Sequence, residues 1–221
     1  MINEIQSPKY AINLIPDYKF YEIISNFFID NKLLKKNFEI NIKEDLYVSI
    51  KAPFYIDNLE NEKNLILSFS NLKNEIEIPT DLNFKEFAYN LKNYNNSFII
   101  ELKKNIQFDF FSNQVIRRFD EFRKVLIPSD YQKDIMRFGN LTESQIINYQ
   151  IWGYPYLFAD STYEFSILKT KDIAINRQIP LPKNLKKLFQ NHITINLSKI
   201  SLVKQSREDG IFSEIASLQL L

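Results

Sequence analysis

Glycine is scarce in this chain: three residues, Gly139, Gly153 and Gly210, among 221. Glycine allows positive φ and lets a ligand approach the backbone closely. With three isolated glycines, neither a phosphate-cradling loop nor a Gly-x-Gly-x-x-Gly dinucleotide turn can be written. Nucleotide-dependent chemistry of the usual kinds is therefore not expected. Cysteine is absent, which removes disulfides and thiolate metal sites and fits a reducing compartment. The single histidine, His192, cannot furnish a His-rich metal centre. No Gly-x-Ser-x-Gly elbow accompanies it, so a structural hydrogen-bonding role at the mouth of a strand is the simpler reading. No apolar stretch approaches the ~20 residues of a membrane-spanning helix, and no basic start leads into an apolar run as in a secretory signal. The expectation is a cytoplasmic protein with no membrane partner.

The net charge is small: 28 basic against 27 acidic residues leave +1. No chain-wide field draws the protein to nucleic acid or anionic lipid. Hydrophobic residues make up 45% and aromatics 14%, enough for one large core or two small ones.

What is there is a pattern that occurs twice. Phe38–Ile50 and Phe98–Phe110 align without a gap, each reading as strand, polar turn and strand after an apolar-periodic stretch. The expected unit is a helix feeding a β-hairpin. Asp17 should cap a helix to about Leu34, with Phe20, Ile23, Ile24, Phe27 and Phe28 buried. Leu65–Phe69 and Glu75–Ile78 read as a second hairpin. Asn83–Leu91 reads as a short helix. Val115, Ile116, Phe119, Phe122 and Leu126 mark one face of a helix over 113–127 that Pro128 ends. Thr142-Glu-Ser-Gln145 has the form of a capping box. Tyr163–Ile167 and Ile173–Ile175 read as strands, Lys183–Gln190 as a short helix, and 193–203 as a third, shorter hairpin; 211–221 is helical on this reading. The fold class is α+β, with antiparallel β-hairpins, packed helices and a repeated helix–hairpin unit. Residues 1–128 and 129–221 form the two portions, or one continuous domain.

Three groups of residues carry candidate chemistry. The aromatics Tyr149, Trp152, Tyr154, Tyr156 and Phe158 surround Gly153 and Pro155 in a turn, where rings can anchor a partner protein or plug a small core. Arg117, Arg118, Arg123 and Lys124 offer a basic helix side suited to phosphates, balanced by Asp120 and Glu121. Lys183, Lys186 and Lys187 form a similar basic stretch. The third group is Asp81, then Glu101 and Lys103 on an apolar strand.

That last spacing resembles the PD-(D/E)xK nuclease motif over residues 79–103. The resemblance implies that Asp81 and Glu101 hold Mg²⁺ and that Lys103 orients the attacking water. Against it, Glu101 and Lys103 occupy the places of Asn41 and Lys43 in the first copy, so a polar outer face of a repeated scaffold accounts for both. On balance the sequence is read as a non-enzymatic protein that binds another protein or itself through its aromatic turn, with no cofactor and no metal, associated with phage, mobile elements or defence. The alternatives are the Mg²⁺-dependent nuclease and a nucleic-acid-binding protein without catalysis.

Overall fold

The computed structural model describes residues 8–30, 38–39, 46–90, 97–103, 105–125, 138–170, 194–205 and 211–220. Among these, eight strands form one antiparallel sheet: β1 (Lys9–Pro16), β2 (Phe38–Glu39), β3 (Val48–Tyr55), β4 (Asp81–Asn90), β5 (Ser97–Leu102), β6 (Glu164–Thr170), β7 (Thr194–Gln205) and β8 (Phe212–Gln219). The order is β2-β6-β5-β4-β7-β1-β3, with β8 also paired to β7. β3 and β6 stand five places apart in that order, yet they touch. The sheet therefore curls, as right-handed strand twist favours in large sheets. Strands from either side of residue 128 pair within it.

Among the described residues five α-helices accompany the sheet: α1 (Tyr18–Asp30), α2 (Leu59–Ser70), α3 (Leu72–Glu75), α4 (Ile106–Asp120) and α5 (Glu143–Trp152). Side-chain oxygens close the orphan amides at four of their starts. Phe20 N donates to Asp17 Oδ1 at 2.8 Å, Asn61 N to Asn58 Oδ1 at 2.9 Å, and Phe108 N to Asn105 Oδ1 at 2.6 Å. At α5 the capping box is complete: Gln145 N donates to Thr142 Oγ1 at 3.3 Å, and Thr142 N to Gln145 Oε1 at 3.0 Å. One contiguous core fills the space between these helices and the sheet. Ile12 and Leu14 of β1, Val48 and Ile50 of β3, and Ile195 and Leu197 of β7 meet Leu65, Phe69, Phe111, Val115 and Phe119 there.

The α+β class with antiparallel strands holds; the repeated unit does not. Leu46–Ile50 leads into β3, but its counterpart Ile106–Phe110 opens α4. The reason is local. Asn105 caps a helix, and Phe108, Phe111, Ser112, Val115, Ile116 and Phe119 are buried at helical spacing, a longer stripe than the one that begins at Val115. α4 accordingly starts seven residues before 113 and ends at Asp120. The hairpin expected over 65–78 is α2 and α3, because the Asn58 cap with Glu60 and Glu62 in the first turn suits a helix N-terminus. The helix expected at 83–91 is β4, held between β5 and β7. The hairpin expected at 193–203 is the single strand β7, whose alternation breaks at the register shift opposite Ile15 and Pro16. The tail pairs as β8. The strand expected at 173–175 and the helix expected at 183–190 lie outside the described residues.

Phe108 and Phe110 separate the two local readings. A strand would put both rings on one face; α4 buries Phe108 at 1% exposure and leaves Phe110 at 64%. Urea unfolding should show Phe108→Ala losing about 3–5 kcal/mol and Phe110→Ala less than about 0.5 kcal/mol. Equal losses would contradict the helix.

Candidate functional site

Two regions gather polar and charged groups. The first is the face of the sheet opposite the helix-covered core. Ile12 and Leu14 enter the core and Asn13 between them turns away. Across the strands Asn13 pairs with Ser49 on one side and Ser201 on the other, and Ser201 with Ser217. Direct partners in an antiparallel ladder share a face, so these four form a polar row. Asn13 is 4% exposed, and its Oδ1 has no hydrogen-bond partner among the described residues. Ser201 Oγ donates to Glu214 Oε2 at 2.7 Å, and Lys199 Nζ donates to the same oxygen at 2.6 Å. Burial opposes ionisation of Glu214, but hydrogen bonds from Lys199, Ser201 and Ser217 outweigh it and hold the carboxyl below its ordinary range.

The same face continues toward β6. Ile100 and Leu102, like Tyr163 and Phe165, lie in the core, so the intervening Glu101 and Glu164 face away from it. They are register partners on β5 and β6, which sets their Cβ atoms roughly 5 Å apart. Asp81 and Asn83 are exposed on β4 opposite Asn196 and Thr194 of β7.

The structure does not bring Asp81, Glu101 and Lys103 together. Glu101 pairs with Glu86, five positions along β4 from Asp81, or roughly 15 Å of strand. Lys103 follows β5, exposed, with its amide donating to Asn83 O at 2.8 Å. Among the described residues, no group of three His, Asp or Glu is placed to hold a metal ion.

The second region is a pocket of about 400 Å³ where β3, the C-terminal end of α4 and the segment 138–157 meet. Its walls carry four cations, Lys9, Lys51, Arg123 and Lys124, and the rings of Phe54, Tyr55, Phe138, Tyr149, Trp152 and Tyr154; among the described residues no carboxylate lines it. Asp120 stands behind it as the shared partner of two of those cations. Lys51 Nζ lies 3.2 Å from Asp120 Oδ1 and 3.4 Å from Ile116 O. Arg123 Nε donates to Asp120 Oδ1 at 2.8 Å, and Arg123 Nη2 to Ile151 O at 2.7 Å. Gly153, in the left-handed conformation (φ 74°), ends α5. A Cβ there would stand 2.9 Å from Arg123 Cδ, so the arginine crosses where a side chain would otherwise be. Lys124 N donates to Tyr55 O at 2.7 Å, tying the chain beyond α4 to the edge of the sheet.

The aromatic turn and the basic helix side meet at this pocket. Tyr149 is 2% exposed, and Phe138 packs edge-on against Tyr149, Tyr154 and Tyr156 at 5.6–6.0 Å. Trp152 packs on Phe158 at 5.4 Å, and the Arg117 guanidinium lies 5.7 Å from both rings. Arg118 pairs with Glu75 and donates to Ser68 Oγ. Of the four basic residues singled out in sequence, two are thus engaged with carboxylates, Arg117 covers rings, and Lys124 is exposed. Sequence reasoning missed Lys51 altogether. Its only signal was a lysine between Ile50 and Ala52 in a largely apolar strand. His192, Lys183, Lys186 and Lys187 lie outside the described residues.

Burial pulls Lys51 down from 10.5 to about 8; the charge and hydrogen bond of Asp120 oppose this, and Arg123 adds to it. Between about pH 8 and 10.5 the unfolded chain keeps a proton that the folded chain has shed, so this group makes stability rise with pH. Denaturant unfolding of the wild type relative to Lys51→Met should show a gain of up to about 1.4 kcal/mol per pH unit across that window. Parallel pH profiles would contradict the burial.

No curated protein matches the chain. Solved structures share its fold over almost its full length. One described as a phosphoesterase is 12% identical, covers 97% of this chain and 99% of its own, and has a TM-score of 0.54. Escherichia coli LigT complexed with NADP⁺ is 11% identical with the same coverage and a TM-score of 0.55; LigT has also been solved with phosphate, 3'-AMP and ATP. TT0787 of Thermus thermophilus is 9% identical, covers 96% of this chain and 97% of its own, with a TM-score of 0.59. These likenesses correct the expectation of a non-enzymatic binding or assembly protein: the fold is one that carries a phosphoesterase. They also leave the nuclease and non-catalytic nucleic-acid readings, and the phage, mobile-element or defence association, without support. The family model described as "Protein of unknown function (DUF1045)" matches residues 49–213, about three quarters of the chain, and the chain belongs to that family.

Proposed function

We propose that the protein is a phosphoesterase that works on the polar face of its sheet. The observation that carries this reading is the fold shared with a structure described as a phosphoesterase over 97% of the chain. Cleaving a phosphate ester needs a base for the attacking oxygen, an acid for the leaving one, and donors for the charge that gathers on the phosphoryl oxygens. Glu101 and Glu164, register partners on β5 and β6, are the pair that can divide the acid and base roles. The hydroxyls of Ser49 and Thr194 and the amide of Asn196, all exposed, supply donors. The Asn13 amide oxygen, an unpartnered acceptor in the same face, suits a ligand hydroxyl. The ligands that LigT holds, phosphate, 3'-AMP, ATP and NADP⁺, make nucleotide-derived phosphate esters the first substrates to offer this chain. A cytoplasmic setting accompanies this proposal, since a chain without cysteine has no disulfide that a reducing compartment would break.

The test is hydrolysis of bis-p-nitrophenyl phosphate by the purified chain, followed by 3'-AMP and ATP as substrates. Glu164→Gln and Glu101→Gln should each lower the rate by roughly 10²–10⁴-fold while the melting temperature holds. A wild-type rate at background, or variants as fast as wild type, would overturn the assignment.

A further inference from the structure

The pocket beside β3 lies at the edge of the sheet, and neither Glu101 nor Glu164 is among its lining residues. Lys51 reaches Ile116 O and Asp120 on α4 from the helix side, whereas Lys9 and its register partner Tyr55 belong to the face that carries Asn13, so the cavity spans the edge strand. Its chemistry is lopsided. Among the described residues four cations meet one carboxylate, Asp120, in a chain whose total charge is only +1. Lys51 and Arg123 divide that carboxylate, whereas Lys9 and Lys124 have no carboxylate partner among the described residues. Lys9 rests instead over the Tyr55 ring at 5.1 Å. A concentration of like charge with no acid among the described wall residues stores repulsion that a bound anion relieves. The lining is also aromatic. Trp152 and Tyr154 flank Gly153, and Tyr154 is held protonated by burial, its pKa pushed up to about 12, so it presents a hydroxyl donor and a ring. Flat faces of this kind stack on planar rings. A volume of about 400 Å³ lies in the range of small-molecule sites and admits no folded partner. Lys51 is 4% exposed, a charged group built into the wall.

We infer that this pocket is a second ligand site, distinct from the Glu101–Glu164 pair, that takes an anion bearing a planar ring, of the size and chemistry of a mononucleotide. The phosphate end sits toward Lys9 and Lys124, and the ring lies against Trp152 and Tyr154. The site fills whether or not the chain turns over a substrate on its polar face.

Trp152, the chain's only tryptophan, is a reporter already in place. Its fluorescence is titrated with AMP, with adenosine, which lacks the charge, and with inorganic phosphate, which lacks the ring. AMP should saturate the signal, with adenosine and phosphate each at least about tenfold weaker. Lys9→Glu with Lys124→Glu should weaken AMP by at least about tenfold with the fold intact by circular dichroism. Lys124→Gln, a milder change at an exposed position, covers the case in which the double variant fails to fold; it should weaken AMP about threefold or more. Glu101→Gln, which slows hydrolysis on the phosphoesterase reading, should leave the titration unchanged, so the two assignments fail independently. The inference is overturned if AMP gives no saturation below about 10 mM, if adenosine binds as tightly as AMP, or if affinity is untouched by the lysine substitutions.

Discussion

One carboxylate organises the region where strand, helix and turn meet. Asp120, the last residue of α4, sits between Lys51 from β3 and Arg123 from the turn that follows, at 3.2 and 2.8 Å. Arg123 then reaches the Ile151 carbonyl at the end of α5. The strand, the end of α4 and the end of α5 are thereby fixed relative to one another by polar bonds as well as by packing. Removing charges from water is costly, and a buried pair repays this only with good geometry and further hydrogen bonds. Here the extra bonds are present: Ile116 O accepts from Lys51, and Arg123 engages both Asp120 oxygens. The absence of a side chain at Gly153 leaves room for the arginine to pass. Lys51 bears the strain of the arrangement as a lowered proton affinity.

Around this junction the sheet divides its work between two faces. One is packed with Ile, Leu, Val and Phe against the helices. The other carries Asn13, Ser49, Ser201, Glu101 and Glu164 in register across neighbouring strands. Asn13 and Ser201 on that face are buried yet polar, at 4% and 1% exposure, and buried polar groups add little to stability unless they are paired.

Much of the local structure was legible in the sequence. The Asp17 cap, the Thr142–Gln145 capping box and the αL stop at Gly153 follow from short-range chemistry that tertiary packing leaves alone. Short apolar runs were not legible, because periodicity alone cannot separate a buried helix turn from a strand. Leu65–Phe69 became helix under the Asn58 cap, and 83–91 became strand because β5 and β7 supply partners on both sides. The apparent repeat rested on spacing shared by a strand and a helix that put different residues inside. The aromatic turn was found but read as a surface for a partner; in the fold it walls a pocket with the basic residues of α4's end. The Glu101–Glu164 pairing could not be read from sequence, since the two stand 63 positions apart and meet only through strand register.

The claim that Asp120 is the keystone is tested most directly by unfolding Asp120→Asn in urea at pH 7, alone and combined with Lys51→Met. Alone, the substitution leaves Lys51 and Arg123 facing each other without a counter-charge and should cost about 3–5 kcal/mol. With Lys51 also removed, much of that loss should return, the signature of coupled sites. A single variant within about 0.5 kcal/mol of wild type, or a double variant whose loss is the sum of the two single ones, would contradict the account.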